Sequence, residues 1–306
     1  MNILIVGLGS ISSKHIIAIK KNLSNFKLFG LRSNSKSKKI GDVESIFNLK
    51  ELEVKIDFSI ISNPTHLHEK TILNLIELRC PLFIEKPVLS NLKNIVSISK
   101  MIEIHKIKTY TACNLRFHPL IIFIKKYFSD KKNEINEINV YCGSFLPEWR
   151  NVKNFKESYS ANAEMGGGVH LDLIHELDYC TWIFGMPINV YKNFRSASSL
   201  NISSIDSAQY ILEYKNFNIN IKLNYYRVDT KREIEVLLKN ETLVGDLLKN
   251  SLKSLKTNKI IFKGKYRIIN TYVDQMRYFI ECIKSNNKLM NDFNESSSIL
   301  KLALNE

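Results

Sequence analysis

MNILIVGLGSIS, residues 1–12, places a short apolar run directly before a glycine turn, and a helical pattern follows. This order of strand, turn and helix is typical of a dinucleotide-binding fold. Gly7 and Gly9 have no side chains, so the backbone can turn sharply and approach a pyrophosphate. The phosphate charge would lie at Ser10 and Ile11, where the free N–H groups of the helix N-terminus point outward. The stretch therefore predicts NAD or NADP binding.

A glycine pair alone is weak evidence, because tight turns occur in many α/β proteins. Ser12 stands where the fingerprint has its third glycine, and serine is small enough for close packing of helix against strand. The turn also follows the first strand of the chain, which is where the fingerprint belongs. Its position favours a cofactor site over an ordinary turn.

Length, charge and cysteine content narrow the class of protein. A chain of 306 residues with 44% hydrophobic residues favours two domains. The net charge of +14 is spread along the chain, which indicates a basic solvated surface rather than a nucleic-acid partner. The five cysteines form no C-x-x-C pair, so we expect neither disulfides nor structural zinc. A reducing cytosol fits these cysteines best, so we expect a cytoplasmic protein. No stretch approaches the roughly 20 apolar residues of a membrane span, so we expect a soluble protein without a membrane partner.

Strand and helix patterns alternate over the first 120 residues. We expect further strands at 26–31, 56–62, 81–84 and 109–112, separated by helices that include 67–78 and 92–104. The alternation predicts an α/β fold, with a parallel sheet in an N-terminal Rossmann domain over residues 1–120. Ligands of such sheets bind at the carboxyl ends of the strands.

The pattern changes after residue 120. We expect a helix at 120–128, strands at 136–146, 187–198, 206–214, 217–228 and 232–239, and one glycine-rich helix at 166–184. Short polar turns between the strands predict a C-terminal α+β domain, residues 121–306, with an open and mainly antiparallel sheet. Helical patterns at 273–283 and 296–304 could pack back on the first domain.

Two strand ends bear on the choice of cofactor. Arg32 and Ser33 end the second strand, where an NAD-specific site usually has an acidic residue for the ribose hydroxyl. A guanidinium beside a hydroxyl suits a 2′-phosphate, so we favour NADP(H) over NAD(H). The alternatives are that Arg32 is a surface charge or stacks on adenine. Asn63, Pro64 and Thr65 follow another strand and complete the predicted cofactor edge.

Glu85-Lys86-Pro87 follows the next strand, where the nicotinamide is expected. A lysine there suits proton transfer to or from a substrate hydroxyl. Elsewhere in a protein the same tripeptide would be an ordinary surface loop.

Five motifs occur in a fixed order along the chain. They are the Gly7–Gly9 turn, Asn63-Pro64-Thr65 with His68, Glu85-Lys86-Pro87, NLRFHP at 114–119, and Gly166-Gly167-Gly168 followed by Asp172, His175 and Asp178. In order and spacing they resemble the glucose-fructose oxidoreductase and inositol dehydrogenase family (Gfo/Idh/MocA). The resemblance covers nearly the whole chain and implies a Rossmann domain joined to an α/β domain. The open sheet of the second domain would supply the substrate pocket and the contact of a homodimer or homotetramer.

The resemblance implies an NAD(P)-dependent oxidoreductase acting on a sugar or cyclitol carbon. Lys86 would be the catalytic acid/base or orient the substrate hydroxyl, and its bond to Pro87 could be cis. Asp172 and His175 would line the pocket opposite the nicotinamide. By the same resemblance His68 and Glu85 join the cofactor site, and Arg116 joins the substrate site.

Asp172 and His175 depart from the family pattern, because they are three positions apart where the family commonly has four. Either spacing would keep both side chains on one face of a helix. The alternative for His175 is a bond to a neighbouring carbonyl, and for Asp178 a structural cap or ion pair. His170 has no matching role and is expected to pack. His170 and His175 lack a zinc-type spacing, so no metal is expected.

Residues 143–150 (GSFLPEWR) resemble a subgroup of the family associated with bacterial surface-polysaccharide and acidic-sugar pathways. Trp149 could stack on a sugar and Arg150 could hold a carboxylate or phosphate; the alternative is an ordered loop at a subunit edge. Tyr226 could reach the pocket, although paired tyrosines in a sheet usually pack. The resemblance thus favours a nucleotide-linked or acidic sugar as substrate.

The combined prediction is a sugar oxidoreductase in which Lys86 and His175 handle the proton and Asp172 orients them or the substrate. One alternative is a glycoside-cleaving enzyme with tightly bound NAD. Another is a non-catalytic NAD(P)-binding regulator, against which the presence of Lys86 and His175 weighs.

Overall fold

A computed structural model of the chain describes residues 1–33, 40–149 and 154–304, and these residues contain two β-sheets. The strands of the first sheet are β1 (Asn2–Val6), β2 (Lys27–Leu31), β3 (Val43–Ile46), β4 (Phe58–Ile61), β5 (Leu82–Ile84) and β6 (Thr109–Thr111). They lie in the order β3-β2-β1-β4-β5-β6 and all pair in parallel. This is the Rossmann order, in which successive strands are added on one side of β1 up to β3 and then on its other side from β4. The predicted α/β fold is confirmed.

Apolar runs make the first sheet a buried layer, as expected for parallel strands covered on both faces. Ile3, Leu4 and Ile5 of β1 are completely buried. The helices that accompany the first sheet are α1 (Ser10–Asn22), α2 (His68–Ile76), α3 (Ile95–Ile104) and α7 (Ile268–Lys284). The last helix, α8 (Phe293–Ala303), follows α7 in the chain. α7 packs beside α1, where the Asn22 amide donates a 3.0 Å hydrogen bond to the Val273 carbonyl.

The second sheet contains β7 (Ile135–Gly143), β8 (Asn189–Arg195), β9 (Ser207–Glu213), β10 (Asn218–Asn224), β11 (Lys231–Leu238), β12 (Thr242–Asp246), β13 (Ser251–Ser254) and β14 (Ile260–Lys263). Their order is β14-β13-β12-β11-β7-β10-β9-β8. Only the β7–β10 pair is parallel among these neighbours. The accompanying helices are α4 (Pro119–Tyr127), α5 (Val169–Asp172) and α6 (His175–Phe184). The predicted open, mainly antiparallel sheet is confirmed.

The chain divides into two compact units. Met1–Asn114 with Ile268–Leu300 forms unit 1, and Leu115–Arg267 with residues 301–304 belongs to unit 2. The division therefore falls before the expected boundary at residue 120, and α7 is part of the first unit. Within the described residues, no helix combines the length and the hydropathy needed to cross a membrane.

The prediction of one helix at 166–184 was wrong. Leu173 has φ −101° and ψ 29°, which lies outside the α-helical range, so α5 stops at Asp172 and α6 starts at His175. Asp172 and His175 therefore belong to two helices, and the expectation that they share the face of one helix is also wrong. The prediction missed β3, β12, β13 and β14, which are four or five residues long.

Candidate functional site

The glycine turn of unit 1 is shaped by close contact with the loop after β4. Gly7 has φ +89°, and a Cβ built on it would lie 2.2 Å from the backbone nitrogen of Asn63. The Ser62 hydroxyl donates a 2.7 Å hydrogen bond to the Gly7 carbonyl. Only glycine fits this turn, because both the positive φ and the approach of the neighbouring backbone exclude a side chain.

Gly9 is a glycine for a different reason. Apart from its chain neighbours, no atom of the described residues lies within 4 Å of a Cβ built there, so in this part of the chain the space beside Gly9 is open at the start of α1. Its N-cap residue is Gly9, no side-chain cap is found within residues 1–33, 40–149 and 154–304, and the first turn contains no acidic residue. The N–H groups of this turn can therefore receive an anion. Ser12 is completely buried and its hydroxyl donates a 2.6 Å hydrogen bond to the Gly9 carbonyl, so serine fits the third position of the fingerprint.

A cleft of about 640 Å³ opens at the carboxyl ends of β1, β2 and β4 in unit 1. It is lined by Val6, Gly7, Leu8, Leu31, Arg32, Ser33, Ile40, Phe47, Asn63, Pro64 and Leu67. Its apolar residues suit an adenine ring, and its glycine turn and arginine suit phosphates. These features fit a dinucleotide.

Arg32 is anchored inside this cleft. Its Nε donates a 2.7 Å hydrogen bond to the hydroxyl of Ser45 on β3, and the side chain is 9% exposed. Arg32 is therefore held by the neighbouring strand, which does not agree with the alternative of a freely solvated surface charge.

His68 ties the loop after β4 to the loop after β5. Its Nε2 lies 3.0 Å from the Asn63 carbonyl and its Nδ1 lies 3.0 Å from the Pro87 carbonyl. Burial lowers the pKa of His68, and the surrounding carbonyl oxygens oppose only part of that shift. The ring is nearly inaccessible to solvent, with 1% exposed. His68 therefore supports the two loops from inside.

Lys86 follows β5 and precedes a cis peptide bond to Pro87, so the expected cis geometry is confirmed. Glu85 is buried and accepts a 3.2 Å hydrogen bond from the Lys86 backbone N–H. Its other carboxylate oxygen lies 2.6 Å from Nε2 of His15 on α1. Neither Glu85 nor Lys86 lines the cleft beside the glycine turn.

In unit 2, Asp172 is paired with a buried tyrosine. The Tyr225 hydroxyl donates a 2.5 Å hydrogen bond to Oδ2 of Asp172, and the Trp149 ring packs edge-on against Tyr225 at 5.1 Å. Trp149 in turn donates a 2.8 Å hydrogen bond from Nε1 to the Ser144 hydroxyl. Burial, followed by the adjacent Asp172 charge, raises the pKa of Tyr225, so its proton stays in the bond. Tyr225 and Trp149 thus hold Asp172 in one orientation.

Two arginine–carboxylate pairs secure α6, which starts at His175. Arg116 donates from Nη2 to Asp178 at 2.7 Å and from Nε at 3.0 Å. Arg232 donates to the two oxygens of Glu176 at 2.6 Å and 3.0 Å. Both carboxylates are completely buried. The pairs leave little freedom for α6 to rotate, so the orientation of His175 is closely defined.

The structure brings part of the predicted set together. Gly7, Arg32, Ser33, Asn63 and Pro64 share the unit 1 cleft. Thr65 is buried at the start of α2, and Ser10 and Ile11 form the first turn of α1.

The predicted substrate residues are placed less uniformly. Arg116, predicted to bind substrate, is 1% exposed and faces Asp178, so the structure shows it in an ion pair rather than at an open surface. Tyr226 is 36% exposed. Arg150 lies outside the described residues. Within those residues, no group of three or more His, Cys, Asp and Glu side chains is placed to hold a metal.

Two polar residues at the site, His15 and Ser45, were not predicted, and neither was the contact of Tyr225 with Asp172. His15 had a detectable signal, because it repeats with Ser12 and Ala18 at helical spacing on the buried face of α1. A histidine on such a face must find a partner inside the fold. Ser45 carries no comparable signal.

Comparison with solved structures shows close likeness of fold at low sequence identity. UDP-N-acetylglucosamine 3-dehydrogenase from Acidithiobacillus ferrooxidans has a TM-score of 0.79 and 15% identity, with 99% of this chain and 95% of that chain covered. Myo-inositol 2-dehydrogenase from Lactobacillus plantarum has a TM-score of 0.79 and 16% identity, with 99% of this chain and 95% of that chain covered. Levoglucosan dehydrogenase, solved with NADH and levoglucosan, has a TM-score of 0.85 and 13% identity. Here too 99% of this chain and 95% of that chain are covered. No curated protein sequence matches the chain.

Family models match both halves of the chain. Residues 1–111 match the NAD-binding Rossmann fold of the Gfo/Idh/MocA oxidoreductase family. Residues 131–296 match the C-terminal alpha/beta domain of the same family. The glycine turn, the open first turn of α1 and the order of the first sheet are the features expected for that Rossmann fold. The chain is thus a member of the Gfo/Idh/MocA family of oxidoreductases.

Proposed function

We propose that this protein is an NAD(P)-dependent dehydrogenase or reductase that acts on a CH–OH group of a sugar. The observation that carries the proposal is the unit 1 cleft at the glycine turn. It is supported by the open space beside Gly9 and the uncapped first turn of α1 among the described residues. The similar solved structures include dehydrogenases of UDP-N-acetylglucosamine, levoglucosan and myo-inositol. The sugars and the cyclitol for which these proteins are named support a sugar or cyclitol carbon as the reacting centre.

NADP(H) is the proposed cofactor, with NAD(H) as the alternative. The guanidinium of Arg32, anchored by Ser45 at 2.7 Å, lies in the cleft at the end of β2. This is where Rossmann proteins distinguish a ribose hydroxyl from a 2′-phosphate. A positive charge fixed by a hydrogen bond favours the phosphate.

Lys86 is proposed to take the hydroxyl proton during oxidation and to return it during reduction. A nicotinamide bound in the cleft would supply hydride transfer to or from the carbinol carbon. His175 shares the transfer of the proton. Asp172, oriented by Tyr225, aligns the imidazole or the substrate hydroxyl.

The substrate is proposed to be a nucleotide-linked or acidic sugar of bacterial surface-glycan synthesis. Trp149 supports this as a candidate stacking surface, because it is partly exposed and its ring is fixed by Ser144. Arg150 and Tyr226 complete the proposed substrate contacts. We further propose a cytoplasmic homo-oligomer joined through the second sheet.

The test combines binding and turnover. Fluorescence titration with NADPH and NADH measures cofactor affinity, and nucleotide-linked, acidic and neutral sugars are then screened at the nicotinamide absorbance band. Lys86→Met is expected to abolish turnover and leave cofactor affinity within about threefold of wild type, a free-energy change below 1 kcal/mol. Full turnover by Lys86→Met, or no binding of either nucleotide by the wild type, would overturn the proposal.

A further inference from the structure

A buried histidine–carboxylate contact connects α1 to the end of β5 within unit 1. His15 on α1 is completely buried, and its Nε2 lies 2.6 Å from Oε1 of Glu85, which is 8% exposed. The two residues are 70 positions apart in the chain. Burial of two polar groups at this distance requires that they satisfy each other.

The Glu85 carboxylate makes contacts on both sides. One oxygen faces His15, and the other accepts the 3.2 Å hydrogen bond from the Lys86 backbone N–H. Burial raises the pKa of Glu85, but the hydrogen bond and charge of His15, and then the charge of Lys86, outweigh it and lower the pKa. Glu85 is therefore ionised at neutral pH, and its two contacts are charge-assisted.

The His15 ring is held from two directions. It packs edge-on against Phe83 of β5 at 5.1 Å and against Tyr272 of α7 at 6.0 Å. Among the described atoms, its Nδ1 has no hydrogen-bond partner. Its polar contact within the described residues is therefore directed at Glu85 through Nε2.

His15 also belongs to the helix that would receive the cofactor. It lies five residues after Ser10, the first residue of α1, and this first turn follows Gly9, which provides no side-chain cap and has open space beside it among the described residues. A rigid helix therefore joins the expected phosphate site to the His15–Glu85 pair, and Glu85 joins the pair to Lys86.

We propose that His15 is a positioning residue for Lys86, acting through Glu85 to fix the Lys86 backbone relative to the first turn of α1. This inference rests on the proposed function, in which Lys86 transfers the proton. It predicts that loss of the His15 contact lowers turnover at saturating cofactor and has a smaller effect on cofactor affinity.

Two substitutions of His15 separate the contact from simple packing. His15→Phe keeps a ring but removes the donor, and turnover per folded molecule is expected to fall roughly tenfold or more, with the Kd for NADPH changing less than about threefold. His15→Gln retains an amide donor of similar reach and is expected to recover most of the turnover. An inactive Gln variant that is folded, or a Phe variant as active as the wild type, would overturn the proposal.

A double-mutant cycle tests whether the pair acts as one unit. Glu85→Gln keeps the shape of the side chain and removes its charge. If His15→Phe does not fold, Glu85→Gln takes its place as the variant that weakens the contact. The double variant His15→Phe/Glu85→Gln is expected to be no slower than the worse single variant, because both remove the same contact. If the fold-loss of turnover in the double variant equalled the product of the two single losses, His15 would act independently of Glu85. That result would contradict the proposal.

The matched control is Asn22→Ala in the same helix. It removes the hydrogen bond to Val273 on α7 but leaves His15, Glu85 and Lys86 unchanged. Its turnover per folded molecule is expected to equal that of the wild type. A tenfold loss of turnover in Asn22→Ala would mean that any loosening of α1 lowers turnover. The specific role of His15 would then be rejected.

A spectroscopic readout makes the test independent of turnover. In protein labelled with [15N]lysine, the Lys86 amide signal is identified by its loss in Lys86→Arg. His15→Phe is expected to shift or broaden this signal, and Asn22→Ala is expected to leave it in place. An unmoved signal in His15→Phe would overturn the inference. A wild type that oxidises and reduces no sugar would overturn the proposed function, while the amide signal would still decide the role of His15.

Discussion

Arg116 and Asp178 form a two-point ion pair in the interior of unit 2, with the closest nitrogen and oxygen 2.7 Å apart and side-chain exposures of 1% and 0%. The guanidinium also lies 5.6 Å from the centre of the Trp182 ring. Such a pair has little net effect on stability when both partners are present, but either charge left alone in the interior is costly. The position of Arg116 favours a role in holding α6.

Asp178→Ala is expected to lower the free energy of unfolding of unit 2 by about 3–5 kcal/mol, because it leaves the Arg116 charge buried without its carboxylate. Urea unfolding followed by tryptophan fluorescence measures the loss, since Trp149 and Trp182 both belong to this unit. The matched variant Arg116→Met/Asp178→Leu should recover most of the stability. If the double variant were less stable than Asp178→Ala, the account of the pair would be wrong.

Arg32→Asp is expected to shift cofactor preference toward NADH by at least about tenfold, or 1.4 kcal/mol, because it replaces the anchored positive charge by a negative one. Titration of both reduced nucleotides gives the ratio of the two dissociation constants. Lys27→Asp makes the same charge change at the exposed opposite end of β2 and should leave that ratio unaltered. An unchanged ratio in Arg32→Asp would reject the NADP assignment.

Gly9→Ala is expected to fold normally and to bind NADPH at least about tenfold more weakly. The new methyl group would enter the open space at the start of α1, where it would meet no atom of the described residues within 4 Å other than its chain neighbours. Ser13→Ala, at an exposed position of the same helix, is the control for altered helix propensity. Unaltered affinity in a folded Gly9→Ala protein would place the phosphates elsewhere. Gly7→Ala should instead impair folding, because of the positive φ and the 2.2 Å approach to Asn63.

Tyr225→Phe is expected to reduce turnover roughly tenfold with a smaller change in KM, because Asp172 loses the hydroxyl that orients it. Steady-state kinetics on the identified sugar separates the two parameters. Tyr210→Phe removes a second buried hydroxyl of unit 2, bonded to the Ala303 carbonyl at 3.0 Å, and serves as the control. Equal losses in the two variants would indicate general destabilisation rather than a role for Tyr225 at Asp172.

His170 gives unit 2 a defined dependence on pH. Burial lowers the pKa of His170 from 6.5 to about 4, and the nearby Asp172 charge opposes only part of the shift. Between these two values the unfolded chain binds a proton that the folded chain does not, so stability falls as the pH falls below 6.5. The slope from this one histidine is about 1.4 kcal/mol per pH unit, and it levels off below the folded pKa.

His170→Phe retains a ring against Phe194 and removes the titrating group. Its free energy of unfolding is therefore expected to depend less steeply on pH between 6.5 and 4 than that of the wild type. Urea titrations at several pH values, read by tryptophan fluorescence, give both slopes. Parallel curves would show that His170 takes up its proton in the folded state as readily as in the unfolded state.

The sequence predicted those parts of the fold that local patterns encode. The apolar run of β1, the glycine turn and the start of α1 follow directly from steric and periodic rules. The strands β3 and β12 to β14 were missed because they are short and carry mixed residues, as in VESI and SLKS. The helix expected at 166–184 reads as continuous, and only the dihedral angles of Leu173 reveal its interruption.

The contacts that orient the site could not be read from the chain. His15 and Glu85 are 70 positions apart, Arg116 and Asp178 are 62 apart, and Tyr225 and Asp172 are 53 apart. Each residue type has several possible partners, and tertiary packing selects one. The pattern therefore indicates which residues carry chemistry but not which residues support them.

The interruption at Leu173 and Ile174 gives the enzyme a place where chain length can vary. α6 is fastened on its own by Arg116 and Arg232, so an insertion or deletion just before it need not turn the helix. A continuous helix would rotate everything beyond such a change by about 100° per residue, from 3.6 residues per turn. A change in chain length at this interruption would therefore move the Asp172 carboxylate while α6 and the His175 imidazole keep their orientation, so the two side chains are free to diverge separately.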